Sequence, residues 1–141
     1  KQTKTVGILA REQPLFEGVT DLIDFLSPRY ALALASGSDR AVVDTVLAMD
    51  GLSENFRVSV SASEISRGKP APDIFLKAAR MLEVAPGRCW VIEDSKPGIA
   101  AGLAASMRVI AITNTHPADE LSQATHVVST YAQIQQLLTP A

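Results

Sequence analysis

Three short stretches of the chain carry polar groups of the kinds that handle phosphate. Ser36-Gly37-Ser38 sets a hydroxyl and a glycine ahead of a helical pattern. A phosphate oxygen can there meet a hydroxyl, a closely approaching backbone and a helix N-terminus at once. Lys69 stands between Gly68 and Pro70, with Pro72 beyond, in a stiff loop. An ammonium held this way neutralises a phosphate with little ordering on binding. Glu93 and Asp94 are adjacent carboxylates at the end of the apolar run Trp90 to Ile92. Such charges repel each other unless a cation or hydrogen bonds offset the repulsion. Magnesium suits them, because it takes hard oxygen ligands: one or two carboxylates, with waters and substrate phosphate completing its shell. Each stretch alone has a plainer explanation: Ser38 as a helix cap, Lys69 as a solvated turn lysine, Asp94 or Ser95 as the cap of a helix near Pro97. Together, in this order along one chain, they specify phosphoryl chemistry on a magnesium ion.

Bringing three loops to one place requires strands that end at a common edge. Tyr30 to Ala35 is a continuous apolar run closed by Ser-Gly-Ser, which reads as a strand covered on both faces. Phe56 to Val60, Trp90 to Ile92, Arg108 to Thr113 and His126 to Ser129 are the further strands. Helical spacing marks Val19, Leu22, Ile23 and Leu26, then 39–49 with the stripe Val42, Val43, Val46 and Leu47, then 73–83, 97–105 and 131–138. Ser38 is the expected cap of the second of these. Residues 1–13 read as a helix on the thinner stripe Val6, Leu9 and Ala10, stopped by Pro14. Strands alternating with helices predict an α/β fold: three layers, a Rossmann-like parallel sheet with helices on both faces. In such sheets ligands bind beyond the carboxyl ends of the strands, where strand order reverses. His116, in a loop after a strand on that side, is a further candidate for substrate contact, whereas His126 and Trp90 read as structural.

Composition narrows the field. The chain has 141 residues, 47% of them apolar, enough for one domain with a sizeable core. A net charge of −2 without a basic block gives no reason to expect nucleic acid or an anionic membrane as partner. The single cysteine, Cys89, rules out a disulfide framework and a cysteine-based zinc site. No apolar run reaches the roughly 18 residues of a membrane span, and no signal-peptide core follows Lys1 to Lys4. A soluble, cytoplasmic protein is expected.

Ala33-Leu34-Ala35-Ser36-Gly37-Ser38, Gly68 to Phe75 (GKPAPDIF) and Val91 to Gly102 (VIEDSKPGIAAG) resemble the second, third and fourth motifs of the haloacid dehalogenase-like hydrolases. The subgroup is that of β-phosphoglucomutase and sugar-phosphate phosphatases, and the resemblance runs from about Pro14 to the C-terminus. It implies that Ser36, with the Gly37 N–H, binds the transferring phosphoryl and that Lys69 balances its charge. It also implies that Glu93 and Asp94 form the magnesium site, Asp94 as the direct ligand, and that Ser38 and Arg40 lie near substrate. The family's first motif, Asp-x-Asp-Gly-Thr, which supplies the nucleophile at the end of the first strand, is not in the sequence. Asp50-Gly51-Leu52 is no substitute, since Ala48 stands at the nucleophile's position and a helix end precedes it.

The same resemblance places the missing first strand between the strands ending at Ser36 and Glu93. Residues 1–13 resemble the last helix of a helical cap, and 14–141 the core domain from its second strand onward. The expectation is therefore a core lacking its first central strand and most of its cap. Two apolar strand edges would be left to pair directly, with an upstream segment, or with another chain. The implied activity of an intact protein is magnesium-dependent hydrolysis of a small phosphorylated metabolite, such as a sugar phosphate, through an aspartyl-phosphate, this chain alone being inactive. A phosphomutase is the near alternative, and a non-catalytic phosphate-binding or interaction module the alternative of another class. A dehalogenase fits less well, because carbon–halogen cleavage in this superfamily needs no magnesium.

Overall fold

The computed structural model describes residues 6–10 and 18–139. Six parallel strands form one sheet in the order β3-β2-β1-β4-β5-β6. They are β1 (Val6–Ala10), β2 (Leu32–Ala35), β3 (Val58–Val60), β4 (Cys89–Glu93), β5 (Arg108–Ile112) and β6 (His126–Val128). The helices are α1 (Val19–Leu26), α2 (Arg40–Ala48), α3 (Asp73–Leu82), α4 (Lys96–Ala104) and α5 (Tyr131–Leu138). None of them is long and apolar enough to cross a membrane.

Alternation along the strands builds two cores. Ala33, Ala35, Val91, Val109 and Ala111 face the layer of α3 and α4, where they meet Phe75, Ile74 and Ile99. Their neighbours Leu32, Leu34, Ile92, Ile110 and Ile112 face α1 and α5, where they meet Leu22, Ile23 and Ile134. Small residues on the first face leave room for the fully buried Phe75 ring, and large ones on the second fill the space to shorter helices. Tyr30 ties the second layer down. Its hydroxyl donates to the Leu138 carbonyl at 2.6 Å, which helix α5 itself leaves unpaired. Tyr30→Phe should cost about 1 kcal/mol in urea denaturation, the worth of one neutral hydrogen bond.

Two expectations need correction here. The helix expected over residues 1–13 is not what Val6–Ala10 forms: this segment is β1, paired with β2 on one side (Ile8 beside Ala33) and β4 on the other (Ile8 beside Val91). A strand at that place satisfies ladder groups on both flanking strands, a larger gain than a thin helical stripe offers. The central place expected to be vacant is thus filled from this chain, with β1 taking the facing edges of both β2 and β4. The rest of 1–13 and the boundary at Pro14 lie outside the described residues. In α2 only Val43 is buried, and Val42 is 47% exposed, so the expected four-residue stripe is reduced to its centre.

Candidate functional site

Parallel strands put the ends of β2, β1, β4 and β5 along one edge, and strand order reverses between β1 and β4. The loops after β2 and β4 flank that reversal. Ser36, which follows β2, is 6% exposed, and its amide donates to the Val60 carbonyl at 3.0 Å. Its hydroxyl oxygen accepts the Ser38 N–H at 3.1 Å, which folds the Ser36-Gly37-Ser38 loop back on itself. The cap of α2 is Asp39 rather than Ser38: Asp39 Oδ1 accepts the Val42 N–H at 3.0 Å. An aspartate three residues before an unpaired amide fills that role when the preceding serine is held elsewhere. Ser38 is committed through its carbonyl, which accepts the Ala62 N–H at 2.9 Å.

Lys69 reaches across to β4. Its Nζ lies 3.1 Å from Glu93 Oε2, the two side chains being 8% and 0% exposed, and 5.5 Å from the centre of the Phe75 ring. The peptide bond from Lys69 to Pro70 is cis. The other Glu93 oxygen accepts the Asp94 N–H at 2.9 Å and the Ser95 hydroxyl at 3.2 Å. Ser95 in turn caps α4, its Oγ accepting the Gly98 N–H at 3.2 Å. Burial raises the Glu93 carboxyl above the usual carboxylate range, opposed by the Lys69 charge and the Asp94 N–H. Glu93 is therefore engaged on both oxygens.

Asp94, next in sequence, is half-buried, and its carboxylate takes no hydrogen bond from a described residue. Its carbonyl accepts the Thr115 hydroxyl at 3.1 Å and lies 3.2 Å from His116 Nδ1. The Thr115 hydroxyl oxygen also lies 2.8 Å from Nδ1, so the ring edge is held between that hydroxyl and the Asp94 carbonyl. His116 borders a cleft of about 570 Å³, also lined by Thr113, Asn114, Ser129 and Gln133.

The sequence-derived residues thus fall into two groups. Lys69, Glu93, Asp94 and His116 form one connected cluster, with Ser36 and Gly37 at the neighbouring strand end. Arg40 stands apart, because every guanidinium N–H already has a partner. Nε donates to Glu64 Oε2 (3.2 Å), Nη1 to Asp44 Oδ1 (3.1 Å) and Ser59 Oγ (2.8 Å), and Nη2 to Glu64 Oε1 (2.6 Å) and the Ser59 carbonyl (3.0 Å). A guanidinium has five such donors, so none is left for a substrate. Hydrogen bonds from the Arg40 guanidinium, helped by those from Ser61, hold the Glu64 carboxyl down to about 2. Glu64 and Ser61 were not singled out from sequence, although Ser61-Ala62-Ser63-Glu64 has the S-x-x-E spacing of a capping box, and the box is formed.

Magnesium fits these residues in part. Asp94 offers one hard oxygen donor at the site's edge, which suits an ion that takes one or two carboxylates beside waters and phosphate. Glu93 does not offer a second without giving up Lys69. Among the described residues no group of three or more acidic, histidine or cysteine side chains is placed to hold a metal ion.

Residues 2–106 match the family model described as a haloacid dehalogenase-like hydrolase. The chain is 50% identical over 82 residues to the bifunctional riboflavin kinase/FMN phosphatase of Arabidopsis thaliana, covering 57% of this chain and 22% of that one. It is 36% identical over 92 residues to the fructose-1-phosphate phosphatase of Escherichia coli, covering 65% and 49%. A crystal structure of a HAD family hydrolase from Deinococcus radiodurans, with bound phosphate and sodium, superposes with a TM-score of 0.77 at 34% identity over 91% of this chain and 63% of that one. The β-phosphoglucomutase of Clostridium difficile gives 0.72 at 33% identity, over 83% and 51%. The chain therefore spans half or less of these two curated relatives' length and up to about three fifths of the crystallised chains.

Proposed function

The chain belongs to the haloacid dehalogenase-like hydrolases, and from that premise we propose that it is the phosphate-binding core of a magnesium-dependent phosphatase of small phosphorylated metabolites, sugar phosphates among them. The observation that carries this reading is the buried Lys69–Glu93 ion pair set beside Asp94 at the carboxyl edge of the sheet. A lysine fixed by a buried carboxylate keeps its orientation without losing rotamer entropy at each binding event, and its charge can balance that of a phosphoryl group. Ser36 and the Gly37 backbone would receive the other oxygens. Asp94 would hold magnesium, which when bound supplies charge neutralisation to the phosphoryl group. Glu93 acts by positioning Lys69. The cleft beside His116 lies within the about 300–1,000 Å³ usual for small-molecule sites and suits the organic part of a phosphate ester.

The nucleophile is the part this chain does not supply in the family's form. An aspartate from the complete protein would attack phosphorus and expel the alcohol, and water would then cleave the aspartyl-phosphate. Transfer to a second sugar hydroxyl instead of water would make the protein a phosphomutase. A second reading has its own support: Val6–Ala10 fills the first-strand place, yet ends in Ala10 and is followed in sequence by Arg11, Glu12 and Gln13. A sheet closed this way without the aspartate suits a non-catalytic phosphate-binding module.

Phosphate release from a panel of sugar phosphates, measured for this chain and for its complete coding sequence, separates the two. The phosphatase reading expects activity from the complete protein alone, and inactivity of both sinks it in favour of binding. Either way, calorimetric titration of this chain with inorganic phosphate and magnesium should lose at least about tenfold in affinity in Asp94→Asn, a fraction of what one oxyanion donor is worth in catalysis. Equal binding by both proteins would remove Asp94 from the metal site.

A further inference from the structure

We propose that Arg40 and Glu64 are positioning residues that clamp the Ser36-Gly37-Ser38 loop in its phosphate-facing shape. This rests on the reading above that the loop receives phosphate, and goes beyond it in naming what holds the loop. The loop after β2 has no regular structure of its own to fix it. Three hydrogen bonds tie it and the start of α2 to the end of β3 and the segment after it: two between backbones, Ser36 N–H to the Val60 carbonyl and Ala62 N–H to the Ser38 carbonyl, and one to a side chain, Arg40 N–H to Ser63 Oγ at 3.0 Å. Those bonds align the two segments only while residues 61–64 keep their own shape. That shape comes from Glu64, whose Oε1 accepts the Ser61 N–H at 2.8 Å and whose Oε2 accepts the Ser61 hydroxyl at 2.6 Å. Ser61, wholly buried, passes the order on through Oγ, which accepts the Ser63 N–H at 3.1 Å.

Arg40 closes the ring from the other side. Its guanidinium grips both Glu64 oxygens from the first turn of α2, and grips β3 through Ser59. The fork geometry makes the grip directional, which a lysine at the same place would not reproduce. One side chain thereby joins the start of α2, the end of β3 and the turn after it. The Ser36 loop sits between these anchored points and has little room to open. Nothing in the arrangement leaves Arg40 a donor for a ligand, so its effect on binding runs through the loop.

The test uses the 141-residue chain with Arg40→Met, Glu64→Gln and the exchanged pair Arg40→Glu/Glu64→Arg, and reads two signals. Amide hydrogen exchange should rise at least about tenfold at residues 36–40 and 60–64 in both single variants, with α5 and β5 unchanged, since local opening needs less than global unfolding. Inorganic phosphate with magnesium should bind about tenfold more weakly, with part of the loss recovered in the exchanged pair. Tyr30→Phe, which weakens the fold away from the site, should leave phosphate affinity as it was. A rise in exchange spread evenly over the chain, or none at the loop, overturns the clamp. If the unaltered chain binds no phosphate, the proposed function fails instead, and the exchange pattern still decides whether Arg40 and Glu64 hold the loop.

Discussion

Replacing Lys69 by methionine should destabilise the chain by about 3–5 kcal/mol, a loss expected when one partner of a buried ion pair is removed. For a turn lysine whose only role is to meet phosphate, the same change would cost almost nothing. The difference arises because Glu93 is 1% exposed and cannot turn to water once Nζ is gone. Two donors would remain to it, the Asp94 N–H and the Ser95 hydroxyl. Against a typical domain stability of roughly 5–15 kcal/mol the change is about a fifth of the total or more. The pH dependence has a definite sign. Burial already raises the Glu93 carboxyl above its usual range with Lys69 present, and raises it further without it. A carboxyl raised in the folded state contributes stability that is fully present below its unfolded value, about 4.3, and lost as pH climbs through the folded value. The penalty of Lys69→Met should therefore be smaller near about pH 5 than near about pH 8 in urea titrations. Glu93→Gln added to Lys69→Met should recover most of it by removing the charge. Equal penalties at both pH values, or no recovery, would mean that the pair is not what holds this corner of the fold.

That buried pair also marks how far the sequence could be read. The adjacent carboxylates and the stiff lysine were legible as polar groups gathered at the carboxyl edge of the sheet, because their residue types and strand-end positions carry that information. What could not be read is which carboxylate faces which cation. Glu93 lies within β4, with its side chain on the face of α3 and α4, and α3 begins just after the Lys69 loop. Period-two alternation puts Glu93 on the same face as Val91, but it takes the crossover geometry to bring Lys69 over that face. Arg40 shows the same limit. Its neighbours Glu64 and Ser59 are about twenty residues away and become partners only when β3 pairs with β2. The helix expected over residues 1–13 failed for a related reason: the thin apolar stripe was weighed alone, while β1 owes its form to two flanking strands far along the chain. The remaining strands and helices, patterned locally, came within a few residues of their observed bounds.

Gly98→Ala should be among the most damaging small substitutions in the chain, although it adds one methyl group and improves helix propensity by about 1 kcal/mol. Gly98 lies in the first turn of α4, and a Cβ there would overlap Cγ, Cδ and Oε2 of Glu93. A free glutamate would swing aside. This one is held by Lys69 on one oxygen and by Asp94 and Ser95 on the other, and its backbone is fixed in β4. Either the carboxyl leaves, breaking the buried pair, or the start of α4 withdraws from the sheet, losing the Ser95 cap and moving Asp94. Overpacking of a fixed site costs about 1–3 kcal/mol, and disruption of the pair adds to that, so a net loss near 3 kcal/mol is expected in chemical denaturation. Phosphate binding should fall with it, since both routes displace the groups that the site depends on. A double-mutant cycle isolates the cause. In a Glu93→Ala background the overlap is gone and only the propensity gain remains, so Gly98→Ala should there become neutral or mildly stabilising. A reversal of sign between the two backgrounds assigns the glycine to the Glu93 carboxyl. The same loss in both would place the requirement in the backbone of α4 and leave the lysine–glutamate pair without its closest packing constraint.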